Sequence, residues 1–358
     1  MLIIQTENFM KQILLALLML SCVLHADKIY YTNGKVLENI TIQKETYNVV
    51  EYSIDSSIRE ASTTSIQRIE YEDTSSDYIQ ARSLWREREY AKAIKKYQEL
   101  QKNTSEKHWS SPYILYFQGK IYQEWGNSEQ DTQKYTQAIE IFETFLQIFP
   151  ESRFVPDAYF SIIECALVMN DKKRMNDSIY NVTKIIDKIK NNEELSYKLD
   201  ILNGNIAQYN QSYDEAIRFY EQADKTAKKS KLSNLEAISS KAECYLKQEK
   251  YRYAEEFWHT QSKNADQENY ELQATIKNGL AYCAFFQKDY NKARQLALET
   301  FLFIPQAIHQ QDFTLYILAE SYQNLTEEQD FQKKSKVYKK MLTIAYPHSS
   351  WTMKIEKK

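Results

Sequence analysis

The segment Tyr213-Asp214-Glu215-Ala216-Ile217-Arg218-Phe219-Tyr220 decides the fold, because its pattern returns along the chain. Its tyrosine, the alanine three residues later and the aromatic residue four further on lie on one face of a helix. The small alanine allows a second helix to approach closely. The alanines of the five clear copies are Ala93, Ala138, Ala216, Ala254 and Ala293. Consecutive alanines are 45, 78, 38 and 39 residues apart, and 78 is two periods of 39. The sequence therefore predicts repeated helix pairs.

Small residues and prolines keep register with these alanines. Ala81, Gly204, Ala242 and Ala281 each lie twelve residues before an alanine of the series. Pro150 and Pro305 lie twelve residues after one, and Pro347 stands in the same relation to Ser335 in a degenerate last copy. Since proline cannot continue a helix, each proline marks the end of the second helix of its pair. A further degenerate copy is expected near Met175.

This order of small residue, aromatic, alanine, aromatic and proline resembles tetratricopeptide (TPR) proteins over residues 76–350. The Phe149-Pro150 and Tyr346-Pro347 ends are similar to those of bacterial envelope TPR proteins, such as the outer-membrane assembly and Tol–Pal-associated ones. The period near 39 rather than 34 and the missing early tryptophan depart from the consensus. The resemblance implies a mainly α fold: a TPR-like right-handed α-solenoid of about seven helix pairs, followed by a tail at 351–358. An ordinary α bundle is the alternative.

Residues 27–72 have a different pattern and predict a small antiparallel β module. Asn33-Gly34 is a strong hairpin signal. Apolar residues then alternate with polar ones, as in Val50, Tyr52 and Ile54, which is typical of short strands. The pattern assigns no chemistry to this module.

The N-terminal residues 1–26 have the layout of a secretory signal peptide. Lys11 precedes an apolar run from Ile13 to Leu24, which as a helix of about 18 Å is too short to cross a bilayer core of about 30 Å. Cleavage after Ala26 and lipidation at Cys22 both fit the segment, and translation starts at Met1 or Met10. Either route predicts an exported protein of the periplasm or outer-membrane periphery of a Gram-negative-type bacterium. Contact with the membrane is expected only through the signal peptide or a lipid anchor.

Composition argues against most recognisable catalytic sites. The chain has 5 Gly, where average usage predicts about 25, and no two of them are close enough for a dinucleotide-binding loop, a P-loop or a nucleophile elbow. The 5 His never occur three or four residues apart, so no helical metal site is expected. A net charge of −3 predicts no nucleic-acid partner. We therefore predict no catalytic residue, no metal and no cofactor.

The remaining cysteines occupy one equivalent position on the first helices of three pairs. Helices in contact lie about 8–10 Å apart, whereas a disulfide needs Cα atoms within about 7 Å. We therefore expect Cys165, Cys244 and Cys283 to be buried and unpaired.

The concave face of a TPR superhelix supplies the candidate binding site. It is lined by first helices, and the repeat register predicts exposed residues one and four after the small position and three before it. Aromatic anchors beside amides suit an extended peptide or a partner helix. The candidate partner-binding groove consists of Asn205, Gln208, Glu243, Asn278, Tyr282, Phe285 and Tyr316.

These features predict a non-catalytic scaffold of the bacterial envelope that binds a protein or peptide partner through its concave face. One alternative is an envelope lipoprotein that captures a glycan or solute in the same groove. Another is an unrecognised enzyme, which would need a buried polar cluster with strongly shifted pKa values.

Overall fold

A computed structural model of the chain describes residues 27–189, 192–266, 268–325 and 329–356. The signal-peptide and Cys22 predictions lie outside these residues. The chain divides into two compact units, residues 1–192 and 193–358. None of the helices described is long and apolar enough to span a bilayer.

The first unit begins with a five-stranded antiparallel sheet, as predicted. Its strands, in the spatial order β4-β3-β2-β1-β5, are β1 (Asp27–Tyr31), β2 (Val36–Glu45), β3 (Val49–Ile54), β4 (Ser57–Ser62) and β5 (Ile66–Glu70). Gly34, at φ 83°, makes the predicted turn between β1 and β2, a conformation that favours glycine. The small core of the sheet contains Ile29, Ile40, Val50, Tyr52 and Ile66.

Three helix pairs complete the first unit. They are α1 (Ser76–Arg86) with α2 (Tyr90–Asn103), α3 (Ser110–Glu129) with α4 (Thr132–Ile148), and α5 (Val155–Met169) with α6 (Lys172–Ile186). Each helix packs against the next, and the first helices α3 and α5 also contact each other. The predicted degenerate copy near Met175 is the pair α5–α6, in which Met175 is buried.

In its described residues, the second unit contains four pairs and a short final helix. The pairs are α7 (Glu193–Tyr209) with α8 (Tyr213–Ser230), α9 (Leu235–Lys247) with α10 (Tyr251–Asn264), α11 (Tyr270–Phe286) with α12 (Tyr290–Phe303), and α13 (Gln311–Asn324) with α14 (Gln329–Ala345). The final helix is α15 (Ser350–Glu356), so the predicted tail at 351–358 is helical through residue 356. The predicted class, mainly α with TPR-like pairs behind a small sheet, is confirmed.

Close helix approach explains the repeat pattern. All five alanines of the series are fully buried. At Gly204 a Cβ atom would lie 2.4 Å from the Tyr220 ring, and at Gly119 it would lie 2.6 Å from the Phe142 ring. In these two pairs the aromatic residue four after the alanine therefore packs directly on a glycine of the first helix. The prediction that prolines mark the ends of second helices is confirmed, since α4, α12 and α14 each end two residues before a proline.

A buried ion pair joins the sheet to the helices of the first unit. Arg153 Nη1 lies 3.3 Å from Glu45 Oε2, and each side chain is only 11% exposed. Tyr71 and Tyr113 both donate hydroxyl hydrogen bonds to the Glu45 carboxylate, and Arg153 Nη2 donates to the carbonyl of Ile66. The end of β2, the start of α3 and the loop before α5 are thus held at one point.

Cys165, Cys244 and Cys283 are free and buried, as predicted. Burial raises the thiol pKa of each to about 12. The thiols therefore stay protonated at neutral pH and behave as small apolar groups.

Candidate functional site: an acidic aromatic cleft in the second unit

The two amides predicted on α7 both contact a buried tyrosine of the partner helix α8. The Tyr220 hydroxyl donates to Asn205 Oδ1 at 2.7 Å and lies 2.9 Å from Gln208 Oε1. Tyr220 is fully buried, so these contacts supply the hydrogen bonds that its hydroxyl needs. Asn205 and Gln208 are half-buried, and their oxygens are engaged within the repeat.

Two predicted groove residues are not exposed. Asn278 has no exposed surface, and its Nδ2 donates to Thr314 Oγ1 at 2.9 Å, which links α11 to α13. Tyr316 is 3% exposed because Trp351 of α15 covers it, with ring centroids 4.8 Å apart. The prediction that Asn278 and Tyr316 are exposed is wrong. It used the repeat register of one helix, which contains no information about side chains covered by a neighbouring first helix or by the final helix.

The final helix packs on the remaining predicted aromatics. Trp351 stacks on Phe313 at 4.3 Å and meets Tyr282 edge-on at 6.0 Å. Lys354 Nζ donates to the Tyr282 hydroxyl at 3.0 Å and lies 4.8 Å from the Trp351 ring centroid. Phe285, beside Tyr282 on α11, is half-buried. This ring cluster therefore already holds one ammonium group.

Next to the ring cluster lies an open cleft of about 290 Å³. We call this the α9–α13 cleft. Glu243 and Tyr282 of the predicted set line it, together with residues that the sequence analysis did not single out. Its charged and aromatic lining consists of the carboxylates Glu243 and Asp312, the histidine His309, and the aromatic residues Trp258, Tyr282, Phe313 and Trp351.

The charge of the α9–α13 cleft is negative. Glu243 is exposed and Asp312 is half-buried, while no lysine or arginine is among the described residues that line the cleft. Asp312 Oδ2 also accepts a hydrogen bond from Ser349 Oγ at 2.6 Å, which fixes the chain where it enters α15. Trp258 is 3% exposed, and its indole N–H has no hydrogen-bond partner among the described residues. The cleft offers carboxylates and ring faces to a cation.

The Asp200 carboxyl group, whose pKa is raised, lies outside the cleft. Burial raises the pKa of Asp200 on α7 to about 6. Among the described residues, no group of three or more His, Cys, Asp or Glu side chains could hold a metal ion. The arrangement in the cleft is therefore suited to binding a charged, partly apolar segment.

Sequence reasoning missed Asp312, Phe313 and Trp351. The first two lie at the start of α13, and the loop before this helix is longer than the corresponding loops of the other repeats. Counting from the small position of the repeat therefore did not select them. Trp351 lies in the segment predicted as a tail. A tryptophan close behind the last proline was the available signal.

The helix pairs, the buried alanines and the glycine–aromatic contacts establish the type of repeat. The chain has a TPR-like fold. Residues 70–173 match the family model YfiO, described as an outer membrane lipoprotein; the match runs from the last residue of β5 to the start of α6. This description agrees with the predicted resemblance to envelope TPR proteins and with the predicted location in the cell envelope.

Several solved structures are similar to this TPR-like chain, at low identity. PilF of Pseudomonas aeruginosa is 15% identical, with 67% of this chain and 96% of that chain covered and a TM-score of 0.38. A tetratricopeptide repeat protein from Parabacteroides merdae is 12% identical, with 73% and 97% covered and a TM-score of 0.43. BtubC from P. vanneervenii is 16% identical, with 62% and 92% covered and a TM-score of 0.46. No curated protein matches the sequence. Likenesses this distant say nothing about function.

Proposed function

We propose that the chain is a non-catalytic interaction scaffold of the bacterial cell envelope, which binds a basic segment of a protein partner through the α9–α13 cleft. The family description supports the envelope location, and helix pairs of this type present long surfaces to partners. The match to a lipoprotein family also favours a lipid anchor at Cys22 over release after Ala26. The mass of the mature protein distinguishes these two outcomes.

The acidic and aromatic lining of the cleft is the observation that carries this proposal. Glu243 and Asp312 line the cleft together with four aromatic side chains, two of which, Tyr282 and Trp351, already hold the Lys354 ammonium. A lysine or arginine side chain gains charge attraction to these two carboxylates there. The apolar part of such a side chain packs against the rings.

Replacing Glu243 by lysine should weaken binding of a basic peptide by about tenfold, because an attractive charge becomes a repulsive one. The probe is a fluorescein-labelled peptide in which arginine alternates with alanine, and binding is measured by fluorescence anisotropy. Glu215→Lys on α8 is the matched control, since Glu215 is exposed in the same unit and does not line the cleft.

The proposal fails if the arginine peptide does not bind, or if Glu243→Lys and Glu215→Lys reduce binding equally. A parallel titration with oligosaccharides distinguishes binding of a protein partner from the glycan alternative, which the family match does not support. Binding of a neutral oligosaccharide that Tyr282→Ala abolishes, without binding of the arginine peptide, would contradict the protein-partner assignment.

A further inference from the structure

Strand β5 ends the sheet of the first unit and has no strand on its outer side. An edge strand presents unpaired backbone N–H and C=O groups to its surroundings. Within the described residues, no backbone hydrogen bond joins residues 67–70 to anything outside the sheet. The carbonyl of Ile66 alone is occupied, by Arg153 Nη2 at 3.4 Å.

A cleft of about 470 Å³ opens along this edge. Four consecutive residues of β5 line it, from Gln67 to Glu70. Successive side chains of a strand point to opposite faces of the sheet, so a cavity lined by four residues in a row is best explained by its running along the strand's edge. The free backbone groups of β5 therefore face this cleft, over a length of about 13 Å. We call it the β5 cleft.

Helix α1 and several aromatic residues also line the β5 cleft. Among them, Ile79 of α1 is 58% exposed, whereas Tyr78 and Tyr113 are buried. A strand laid beside β5 would turn its alternate side chains to opposite faces of the sheet, so that one set packs on this apolar lining. The site thus offers both backbone pairing and a side-chain pocket.

Charge decides what kind of strand fits. Arg68 contacts Glu70, and Arg153 is paired with Glu45, so these two cations are already neutralised. Arg82 of α1 is exposed, lines the cleft and has no ion-pair partner among the described residues. A carboxylate on the incoming strand would supply that partner.

We infer that the first unit binds an extended acidic peptide by strand addition to β5, with the peptide as a sixth strand and one of its carboxylates on Arg82. This site is separate from the α9–α13 cleft and takes a partner of the opposite charge. Backbone pairing supplies affinity in this mode of recognition, and the side-chain pocket supplies selectivity.

Three synthetic peptides test the inference by fluorescence anisotropy with the purified chain. The first alternates valine with glutamate, the second has lysine in place of glutamate, and the third is the glutamate peptide with every backbone amide N-methylated. Only the first should bind, because the second opposes Arg82 and the third cannot donate to β5. Binding should also slow backbone hydrogen exchange in residues 67–70.

Arg82→Glu should weaken binding of the glutamate peptide by about tenfold or more. Arg86→Glu, one turn along α1 and outside the cleft lining, should change it by less than about twofold and serves as the matched control. Equal binding of the N-methylated peptide, equal effects of the two variants, or no binding at all would overturn the inference. So would self-association of the chain that Arg82→Glu abolishes, since a second copy would then be the occupant of β5.

Discussion

Replacement of Arg153 by alanine should destabilise the first unit by about 3–5 kcal/mol. The substitution leaves the Glu45 carboxylate, which is 11% exposed, without its cation, and an unpaired buried charge costs this much. Tyr71 and Tyr113 still donate to the carboxylate but cannot neutralise it. The expected result is a lower urea midpoint together with faster hydrogen exchange in β2 and β5. Arg153 donates to Glu45 of β2 and to the carbonyl of Ile66 of β5, so both strands lose a contact.

Arg174→Ala provides the matched control for this effect. Arg174 also pairs with carboxylates, at 2.9 Å from Glu143 and 2.8 Å from Asp171, but its side chain is 43% exposed. Exposed pairs contribute about 0–1 kcal/mol, so the control should lose little stability. A double variant, Glu45→Gln with Arg153→Met, should recover much of the loss because it buries no net charge. A loss below about 1 kcal/mol in Arg153→Ala would mean that the pair does not hold the sheet in place.

Gly204→Ala should destabilise the second unit by about 1–3 kcal/mol, although the same change at an exposed helix position stabilises by about 1 kcal/mol. The sign reverses because the new methyl would lie 2.4 Å from the Tyr220 ring, which is buried and has no room to withdraw. Thermal and urea unfolding of the variant measure the effect.

Gly126→Ala is a graded comparison, since its added Cβ would lie 3.0 Å from Tyr135 and would require a smaller shift. Its loss should be clearly smaller than that of Gly204→Ala. Stabilisation by Gly204→Ala would contradict the close approach of α7 and α8, on which the explanation of the repeat depends.

Local patterns in the sequence predicted the helix pairs well, because the packing of each pair depends on residues within one repeat. The alanines of the series are buried, and the prolines follow the helix ends, as the repeat pattern predicted. The Asn33-Gly34 hairpin was likewise predictable, since two residues determine the turn.

Contacts between distant residues were not predictable in this way. Glu45 and Arg153 are 108 residues apart, and neither belongs to a motif. The burial of Asn278 and Tyr316 depends on α13 and α15, which one repeat's register does not describe. The cleft residues Asp312 and Trp351 were missed for the same reason, and only Glu243 and Tyr282 of the candidate groove line the cleft.

Site-specific photo-crosslinking in the native envelope is the most direct test of the scaffold proposal. A benzoyl-phenylalanine residue replaces Glu243 in the α9–α13 cleft or, as a control, Arg252 on α10, whose side chain is 89% exposed and does not line the cleft. We predict a discrete protein adduct from position 243, with a basic segment at the crosslinked site, and none from position 252. No adduct at position 243, or the same adducts from both positions, would contradict binding through the cleft.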